Sequence, residues 1–520
     1  MGEQTCPWGD GSLTFRHHRL AINGLRAAGA QPITSRDKRF VMVFNGEIFN
    51  FRILNARYRL IPQGEEYSDT DILLELICKL GIRQALGEVD GMYALAILDQ
   101  KANELFFSRD LKGEKPLYYC NRGGRFLLSS TVTDALSLGY VDELNDEYIQ
   151  MIVSSGLMIP GQTVFKSIKS AIPGCLYKLE TDGSLVSMGE IKNLFQDPSE
   201  LIEDRLQTAV TRFLDSDIEV GCFLSSGIDS SLVAAFAARQ TESLKTFTVG
   251  FESGPSEHLV ARDYSKIIDS QHFEHIVTKK EIHDAAPLII ETMGAPCLDI
   301  SYIPTYFASA LASRHVKAVL GGDGADELFY GYRRHALTLD LWRYLHPIFA
   351  SAFYLNLPIG RMRALCAPSL IEYYITLQGG NLDGSWINDL GGYDRENILS
   401  LECKFFLQTV LQKVDSASMA NSLEVRAPFL SHTFWNSDRP TRNDSVRRGK
   451  GKQTLRELHG LVYRGRHSQA SKKGFTPGLE LVSHLETGEV LPELKKYNVR
   501  NKLQKYRLTI LDSWIKAHAY

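Results

Sequence analysis

The sequence predicts an α/β chain of two domains, a layered α+β domain over residues 1–190 and a parallel-sheet α/β domain over 191–520 that ends in a helical part. Three observations predict it. A chain of 520 residues is too long for one hydrophobic core. Up to about residue 185, short β-rich segments alternate with turns around one helical stretch. Beyond residue 200, apolar strands twice run into small-residue loops followed by helix formers, at 220–231 and 316–328, the mark of parallel strands covered on both faces.

Composition narrows the function classes. Hydrophobic residues make up 44% and charged residues 23%, as in ordinary globular proteins. A net charge of -3 creates no general field for nucleic acid. The eight cysteines are scattered without a Cys-x-x-Cys pair, which argues against a zinc site or disulfide scaffold and for reduced, buried thiols. No apolar run reaches membrane-span length, and Met1-Gly2-Glu3-Gln4-Thr5 has neither the basic nor the apolar region of a signal peptide. The expectation is a cytoplasmic protein with no membrane or nucleic-acid partner, with a homodimer left open.

In the first domain, 40–44, 93–98 and 104–108 are expected strands. Asn45-Gly46, Asp90-Gly91 and Asp182-Gly183 are expected turns. Residues 69–80 carry Ile72, Leu73, Leu74, Leu76, Ile77 and Leu80 at helical spacing.

A polar connector over 194–199 and a helical period over 200–213 lead into the second domain. There an apolar strand ends at Leu224 and breaks into Ser225-Ser226-Gly227-Ile228-Asp229-Ser230-Ser231, and the residues after it are strong helix formers. Such a loop aims backbone N–H groups and hydroxyls from a helix N-terminus, where a phosphate is favoured. It is not a Walker A loop, since no Gly-Lys-Ser/Thr follows. A strand at 245–251, a helix near 257–270 and an apolar segment ending at Val277 continue the alternation. The second loop, Gly321-Gly322-Asp323-Gly324-Ala325-Asp326-Glu327, packs three acids into five residues that repel unless a cation or donors sit among them. Both loops are expected side by side at the switch point of the sheet. From Tyr330 onward helices are expected, including 342–355 and 400–411. Arg447-Arg448-Gly449-Lys450-Gly451-Lys452 reads as a mobile, solvated loop.

The Ser225 to Ser230 loop resembles the Ser-Gly-Gly-x-Asp-Ser pyrophosphate loop of the ATP pyrophosphatases, with Ser226 at one glycine, as used by glutamine-hydrolysing asparagine synthetases. The second loop is similar to the Gly-Asp-Gly-x-Asp-Glu-Leu-Phe-x-Gly-Tyr of that family. The run from Lys413 to Leu430 is nearly continuous with its signature, Ser431 standing where the family usually has Asp. Ser471-Lys472-Lys473-Gly474-Phe475 resembles its Lys-x-Gly-Phe. The first domain is similar to the glutaminase half: Phe15-Arg16-His17-His18-Arg19-Leu20, Asn45-Gly46-Glu47, Ser68-Asp69, Asp90-Gly91-Met92-Tyr93-Ala94, and Arg109-Asp110 with Gly113-Glu114-Lys115-Pro116-Leu117-Tyr118-Tyr119 match in order.

The resemblance implies a truncated Ntn-hydrolase-like αββα sandwich followed by an ATP-pyrophosphatase-type domain. It further implies ATP and Mg2+, with Leu224, Ser225, Ser226, Gly227, Ile228, Asp229, Ser230, Gly321 and Gly322 around the phosphates and Val249 on the adenine side. Asp229 and Asp326 would hold the metal, and Lys472, Asp323 and Tyr332 would be catalytic. Arg19, Asn45, Gly46, Glu47 and Asp69 fall where the family holds glutamine. The implied reaction adenylates a small carboxylate, aspartate or a related acid, then passes the acyl group to ammonia or an amine.

The family's glutaminase needs an N-terminal cysteine as nucleophile. Here loss of Met1 would expose Gly2, and only fourteen residues precede Phe15, too few for the strand and loop the family places there. Cys6 is internal, precedes Pro7 and reads as an ordinary thiol. The first domain is therefore expected to be a scaffold with vestigial glutamine-binding residues; the alternative is that the true beginning is absent. Ammonia would then come from solution, from a separate supplying partner, or as an amino group of the substrate, as in β-lactam-forming relatives. An inactive regulatory homologue is the reading from another class.

Overall fold

The computed structural model describes residues 2–22, 29–140, 143–195, 201–252, 257–332, 402–435, 446, 451–465, 489–497, 499 and 501–519. The expected helix at 342–355 lies outside them. The first domain comprises β1 (Gly2–Trp8), β2 (Gly11–His17), β3 (Ile33–Thr34), β4 (Phe40–Ile48), α1 (Phe51–Tyr58), α2 (Asp69–Leu80), α3 (Ile82–Glu88), β5 (Gly91–Asp99), β6 (Glu104–Arg109), β7 (Tyr118–Arg122), β8 (Arg125–Ser129), α4 (Val132–Ser137), α5 (Asp146–Ser155), β9 (Ile168–Ser170), β10 (Cys175–Leu179) and β11 (Leu185–Glu190).

Strand periodicity builds its layers. The six-stranded sheet runs β11-β10-β6-β5-β4-β3 and a three-stranded sheet runs β8-β7-β9. Along β5, Tyr93, Leu95 and Ile97 face a core shared with α1, α2 and α3, while Ala94, Ala96 and Leu98 face the second sheet, as a period of two requires. On β7, Tyr119 packs on that inter-sheet core, and Tyr118 and Cys120 pack against α4 and α5. The result is the expected helix, sheet, sheet, helix order. The helix predicted at 69–80 forms because Ser68 and Asp71 close a capping box ahead of it.

Two turn expectations are corrected. Asn45-Gly46 lies inside β4, opposite Ala94 and Tyr93, and a Cβ on Gly46 would stand 2.0 Å from the Met92 carbonyl. The glycine serves a close cross-strand approach, not a hairpin. Asp90-Gly91 likewise joins α3 to β5, and of the three pairs it is Asp182-Gly183 that turns a hairpin, between β10 and β11.

The second domain comprises α6 (Ile202–Leu214), β12 (Val220–Phe223), α7 (Ile228–Ala238), β13 (Lys245–Phe251), α8 (Glu257–Ile267), β14 (Gln271–Val277), α9 (Lys279–Thr292), α10 (Tyr302–Ala312), β15 (Ala318–Leu320), α11 (Ala325–Leu328), α12 (Leu407–Met419), β16 (Glu424–Arg426), α13 (His432–Trp435), α14 (Gln453–Val462) and α15 (Lys502–His518). Its sheet is parallel, in the order β14-β13-β12-β15-β16. One face is covered by α6, α7, α8 and α14, the other by α10 and α12. From β12 the chain moves outward to β13 and β14, then returns to place β15 on the other flank of β12. The strand order reverses there, so the loops leaving β12 and β15 open beside each other.

The two domains are joined by buried polar contacts. Ser431 Oγ donates to Asp90 Oδ2 at 2.7 Å and the His432 N–H donates to Asp90 Oδ1 at 2.9 Å. The serine thus supplies the hydrogen that a second carboxylate could not. Lys115 Nζ pairs with Asp415 at 3.0 Å. Helices α4 and α5 also share a core with α15 through Ile149, Ile152, Leu511 and Trp514.

Candidate active site

Ser225 to Ser230 form the turn from β12 into α7. Its hydroxyls organise it: Ser225 and Ser230 Oγ are 2.7 Å apart, Ser230 Oγ accepts the Ser225 N–H at 3.1 Å, and Ser225 Oγ accepts the Gly227 N–H at 3.1 Å. No residue from Ser225 to Ser230 takes a positive φ, so serine at 226 fits where a left-handed turn would have demanded glycine. The facing loop touches it. A Cβ on Gly322 would stand 2.7 Å from the Ser230 nitrogen and 2.9 Å from Asp229 Cβ, so a side chain at 322 would force the two loops apart.

These loops line one cavity of about 540 Å3, which Ser225, Ser226, Gly227, Ile228, Asp229, Ser230, Gly322, Asp323, Asp326 and Tyr332 all reach. Its volume suits a cofactor-sized ligand. Leu224, Gly321 and Val249 stand behind the wall. The Leu224 N–H donates to the Phe247 carbonyl at 2.9 Å, and Val249 is buried in β13. The Tyr332 hydroxyl donates to Glu327 Oε1 at 2.6 Å. Burial raises the Glu327 carboxyl to about 7 and the neighbouring Asp326 adds to the rise, while the tyrosine bond opposes both.

The centre of the cavity is a residue that the sequence reading placed in solvent. Lys452 is 5% exposed, and its Nζ lies 2.6 Å from Asp229 Oδ2 and 2.5 Å from Asp326 Oδ1. The expectation of a solvated 447–452 loop is therefore corrected at its last residue; 447–450 lie outside the described residues. Lys452 is held in the left-handed region, φ 60°, at the N-cap of α14, with its N–H donating to the Phe329 carbonyl at 2.9 Å. Such a conformation is costly for a residue with a Cβ and clusters at functional sites. A lysine at a helix N-terminus also opposes the helix dipole, a signal that acids elsewhere must hold it. Arg456, one turn on, lines the same cavity. Lys472 and Lys473 lie outside the described residues.

Two carboxylates that converge on one point occupied by a cation form an oxygen donor set of the kind magnesium takes with phosphate oxygens and water. The arrangement fits the expected pair Asp229 and Asp326. Among the described residues, no group of three or more His, Cys, Asp or Glu side chains is placed to hold a metal.

The glutamine-type residues are placed differently. Asn45 Nδ2 reaches Ser130 Oγ at 3.4 Å. Glu47 pairs with Arg426 Nη2 at 3.3 Å, and Arg426 also pairs with Glu424 at 2.8 Å and donates to the Phe213 carbonyl at 2.9 Å. Asp69 Oδ2 accepts the Ile48 N–H at 3.1 Å, and burial raises its carboxyl to about 6. Arg19 lies against Gly29, where a Cβ would be 2.7 Å from its Nη2. Cys6 is buried on β1 against the inter-sheet core, and burial pushes its thiol up, the reverse of what a nucleophile needs.

Residues 201–481 match the asparagine synthase family model, and residues 3–188 match the glutamine amidotransferase domain model. The chain is 28% identical to an asparagine synthetase (glutamine-hydrolysing) of Bacillus subtilis over 81% of its own length and 73% of that protein. It is 30% identical to a putative asparagine synthetase (glutamine-hydrolysing) of Methanocaldococcus jannaschii over 62% of its length and 68% of that protein. Superposition on the glutamine phosphoribosylpyrophosphate amidotransferase of B. subtilis gives a TM-score of 0.23 at 16% identity, covering 47% of this chain and 48% of that one.

Proposed function

The chain belongs to the asparagine synthase family, and on that premise we propose that it is an ATP-dependent amide-forming ligase that adenylates a small carboxylic acid. The observation that carries the proposal is the meeting of Asp229, Asp326 and Lys452 in the cavity lined by the Ser225 to Ser230 loop.

A carboxylate is a poor electrophile, and activation gives it a leaving group. An oxygen of the acid attacks the α-phosphorus of ATP, the bond from that phosphorus to the α,β-bridging oxygen breaks, and pyrophosphate leaves with the bonding pair. The first-turn N–H groups of α7 and the loop hydroxyls receive its charge. Lys452 moves its ammonium from the two aspartates to phosphate oxygens, and Lys472 is assigned the charge on the acyl centre. Asp229 and Asp326 would hold Mg2+, which supplies charge neutralisation of the polyphosphate. An amine nitrogen then attacks the acyl carbon, AMP leaves, and the nitrogen sheds a proton for which Asp323 is the nearby base.

The nitrogen is assigned to ammonia or an amine and not to glutamine hydrolysed on this chain. Supporting this are the buried, raised thiol of Cys6 and the engagement of Glu47 by Arg426. We place the enzyme in the cytoplasm. The seven described cysteines are free, and no described helix is long and apolar enough to cross a membrane. The test is acid-dependent release of pyrophosphate and AMP, with ammonia compared against glutamine. Turnover with ammonia at a rate at least ten times that with glutamine supports the assignment, and efficient use of glutamine overturns the nitrogen assignment.

A further inference from the structure

Lys452 does not stand alone on its helix. Arg456 follows it by one turn of α14 and lines the same cavity beside Asp229 and Asp326, since residues four apart share a helix face. Both cations therefore reach one cavity. Helix α14 packs on α7: Leu455 and Leu458 share a core with Leu232 and Phe236, and the Tyr463 hydroxyl donates to the Ser231 carbonyl at 2.7 Å. The N-terminal ends of both helices, at Gly227 and Lys452, line the cavity and make no side-chain cap hydrogen bond. The dipole of α14 thus adds to that of the Ser225 to Ser230 turn.

A close backbone contact seats the start of α14. A Cβ on Gly451 would stand 1.7 Å from the Tyr330 carbonyl oxygen, and one on Gly331 would stand 1.8 Å from Asp326 Oδ1 and 2.2 Å from Lys452 Cε. Only glycine fits on either side. Tyr330, φ 57°, and Lys452, φ 60°, are both left-handed, a cost that persists where the surroundings over-determine it. Arg456 closes the contact, its Nε donating to the Gly451 carbonyl at 3.0 Å and its N–H to the Lys452 carbonyl at 2.8 Å. One edge of the guanidinium is thus tied to the peptide before Lys452, and the plane of the fork is set in advance. Burial holds the half-buried Arg456 guanidinium below its ordinary range, and the charges of Asp229 and Asp326 oppose that. Two carboxylates against the one ammonium of Lys452 leave their cluster negative, so a polyphosphate approaching it needs a further fixed cation.

We propose that Arg456 binds the leaving pyrophosphate, so that the departing group is held from two helix ends, by the Ser225 to Ser230 turn of α7 and by Lys452 and Arg456 of α14. As the bond from the α-phosphorus to the bridging oxygen breaks, the bonding pair stays on that oxygen and the charge on pyrophosphate rises. A planar fork already fixed along one edge receives that charge without reorganising. The AMP half makes no use of Arg456. The assignment rests on the adenylation reading above.

The experiment compares the full chain with Arg456→Gln and Arg456→Lys. Binding of pyrophosphate and of AMP, each with Mg2+, is measured by calorimetry, and acid-driven ATP–pyrophosphate exchange is followed with pyrophosphate varied. The expected result in Arg456→Gln is a Kd and a KM for pyrophosphate raised about ten- to a hundredfold, the scale of a lost charge-assisted hydrogen bond, with the Kd for AMP within about twofold. Arg456→Lys keeps the charge without the fork and should lose about three- to tenfold. A clamp on the Gly451 carbonyl alone would lower the melting temperature and leave pyrophosphate affinity unchanged, and that result in either folded variant overturns the proposal. So does an equal loss of AMP and pyrophosphate affinity, which would put Arg456 on the α-phosphate or on the seating of Lys452 alone. Pyrophosphate binding that is weakened by Arg456→Gln without exchange by any acid would sink the adenylation reading and uphold the pyrophosphate contact; no binding of pyrophosphate by the unaltered chain overturns the contact.

Discussion

Glu47 and Asp69 in the first domain and Asp229 and Asp326 in the second are all largely shielded acids, placed at a strand end or in the first turn of a helix, yet their counter-charges differ. Glu47 meets Arg426, which is fully buried and tied down by Glu424 and the Phe213 carbonyl. Asp69 spends an oxygen on the Ile48 N–H. Asp229 and Asp326 meet Lys452, whose flexible stem ends in a cavity. The first set is closed by rigid groups of the protein, whereas the second is closed by a cation that can turn to a ligand. On the adenylation proposal, burial alone does not mark a working acid; a partner that ends in a cavity does.

The largest expected effect comes from Lys452→Met. It should lower acid-dependent ATP–pyrophosphate exchange by ~10²–10³-fold, the cost of losing a preorganised charge at a transition state. It should also lower the melting temperature more without Mg2+ than with it, because two neighbouring carboxylates lose their shared cation. Exchange within threefold of the unaltered chain would erase the contrast between the two regions.

Glu47→Gln should act in the opposite way. Removing one partner of a buried ion pair costs about 3–5 kcal/mol, to be read from urea unfolding, while exchange by the folded fraction stays within about threefold. Unchanged stability would show that Glu47 is held ready for a ligand after all.

How much of this was legible follows from how local each signal was. The strand Lys245–Phe251 and the helix Asp69–Leu80 were read to the residue, because the apolar pattern that marks each lies within the segment itself. The pairing of two acidic loops was legible from strand, glycine and acid spacing. Asn45-Gly46 was misread because a cross-strand carbonyl, not the local dipeptide, dictates that glycine. Lys452 was missed because its partner Asp229 is 223 residues away, and a lysine among glycines looks solvated without that partner.

A smaller effect is expected at the domain seam. Ser431→Asp would set a second carboxylate against buried Asp90 in place of a hydroxyl donor, and should destabilise the chain by about 2–3 kcal/mol, read as a fall in melting temperature. No change would mean that the seam relaxes freely.

The smallest is a pH effect in the first region. With Asp69 at about 6 in the folded chain against an ordinary 3.8, the folded state binds the proton more tightly. Its contribution is therefore fully present below about pH 4 and is lost as pH rises through 6. Asp69→Asn should flatten that decline by about 1–3 kcal/mol, measured as unfolding free energy at pH 4 and pH 7.5. An unaltered slope would show that Asp69 does not cause it.

The most direct test of the central claim is the Mg2+ dependence of acid-driven ATP–pyrophosphate exchange in Asp229→Asn and Asp326→Asn beside the unaltered chain. If both carboxylates and Lys452 serve one phosphate centre, each variant should lose exchange by at least a hundredfold at ordinary Mg2+ and recover part of it at high Mg2+. Exchange that persists in either variant with the same Mg2+ requirement would contradict the account.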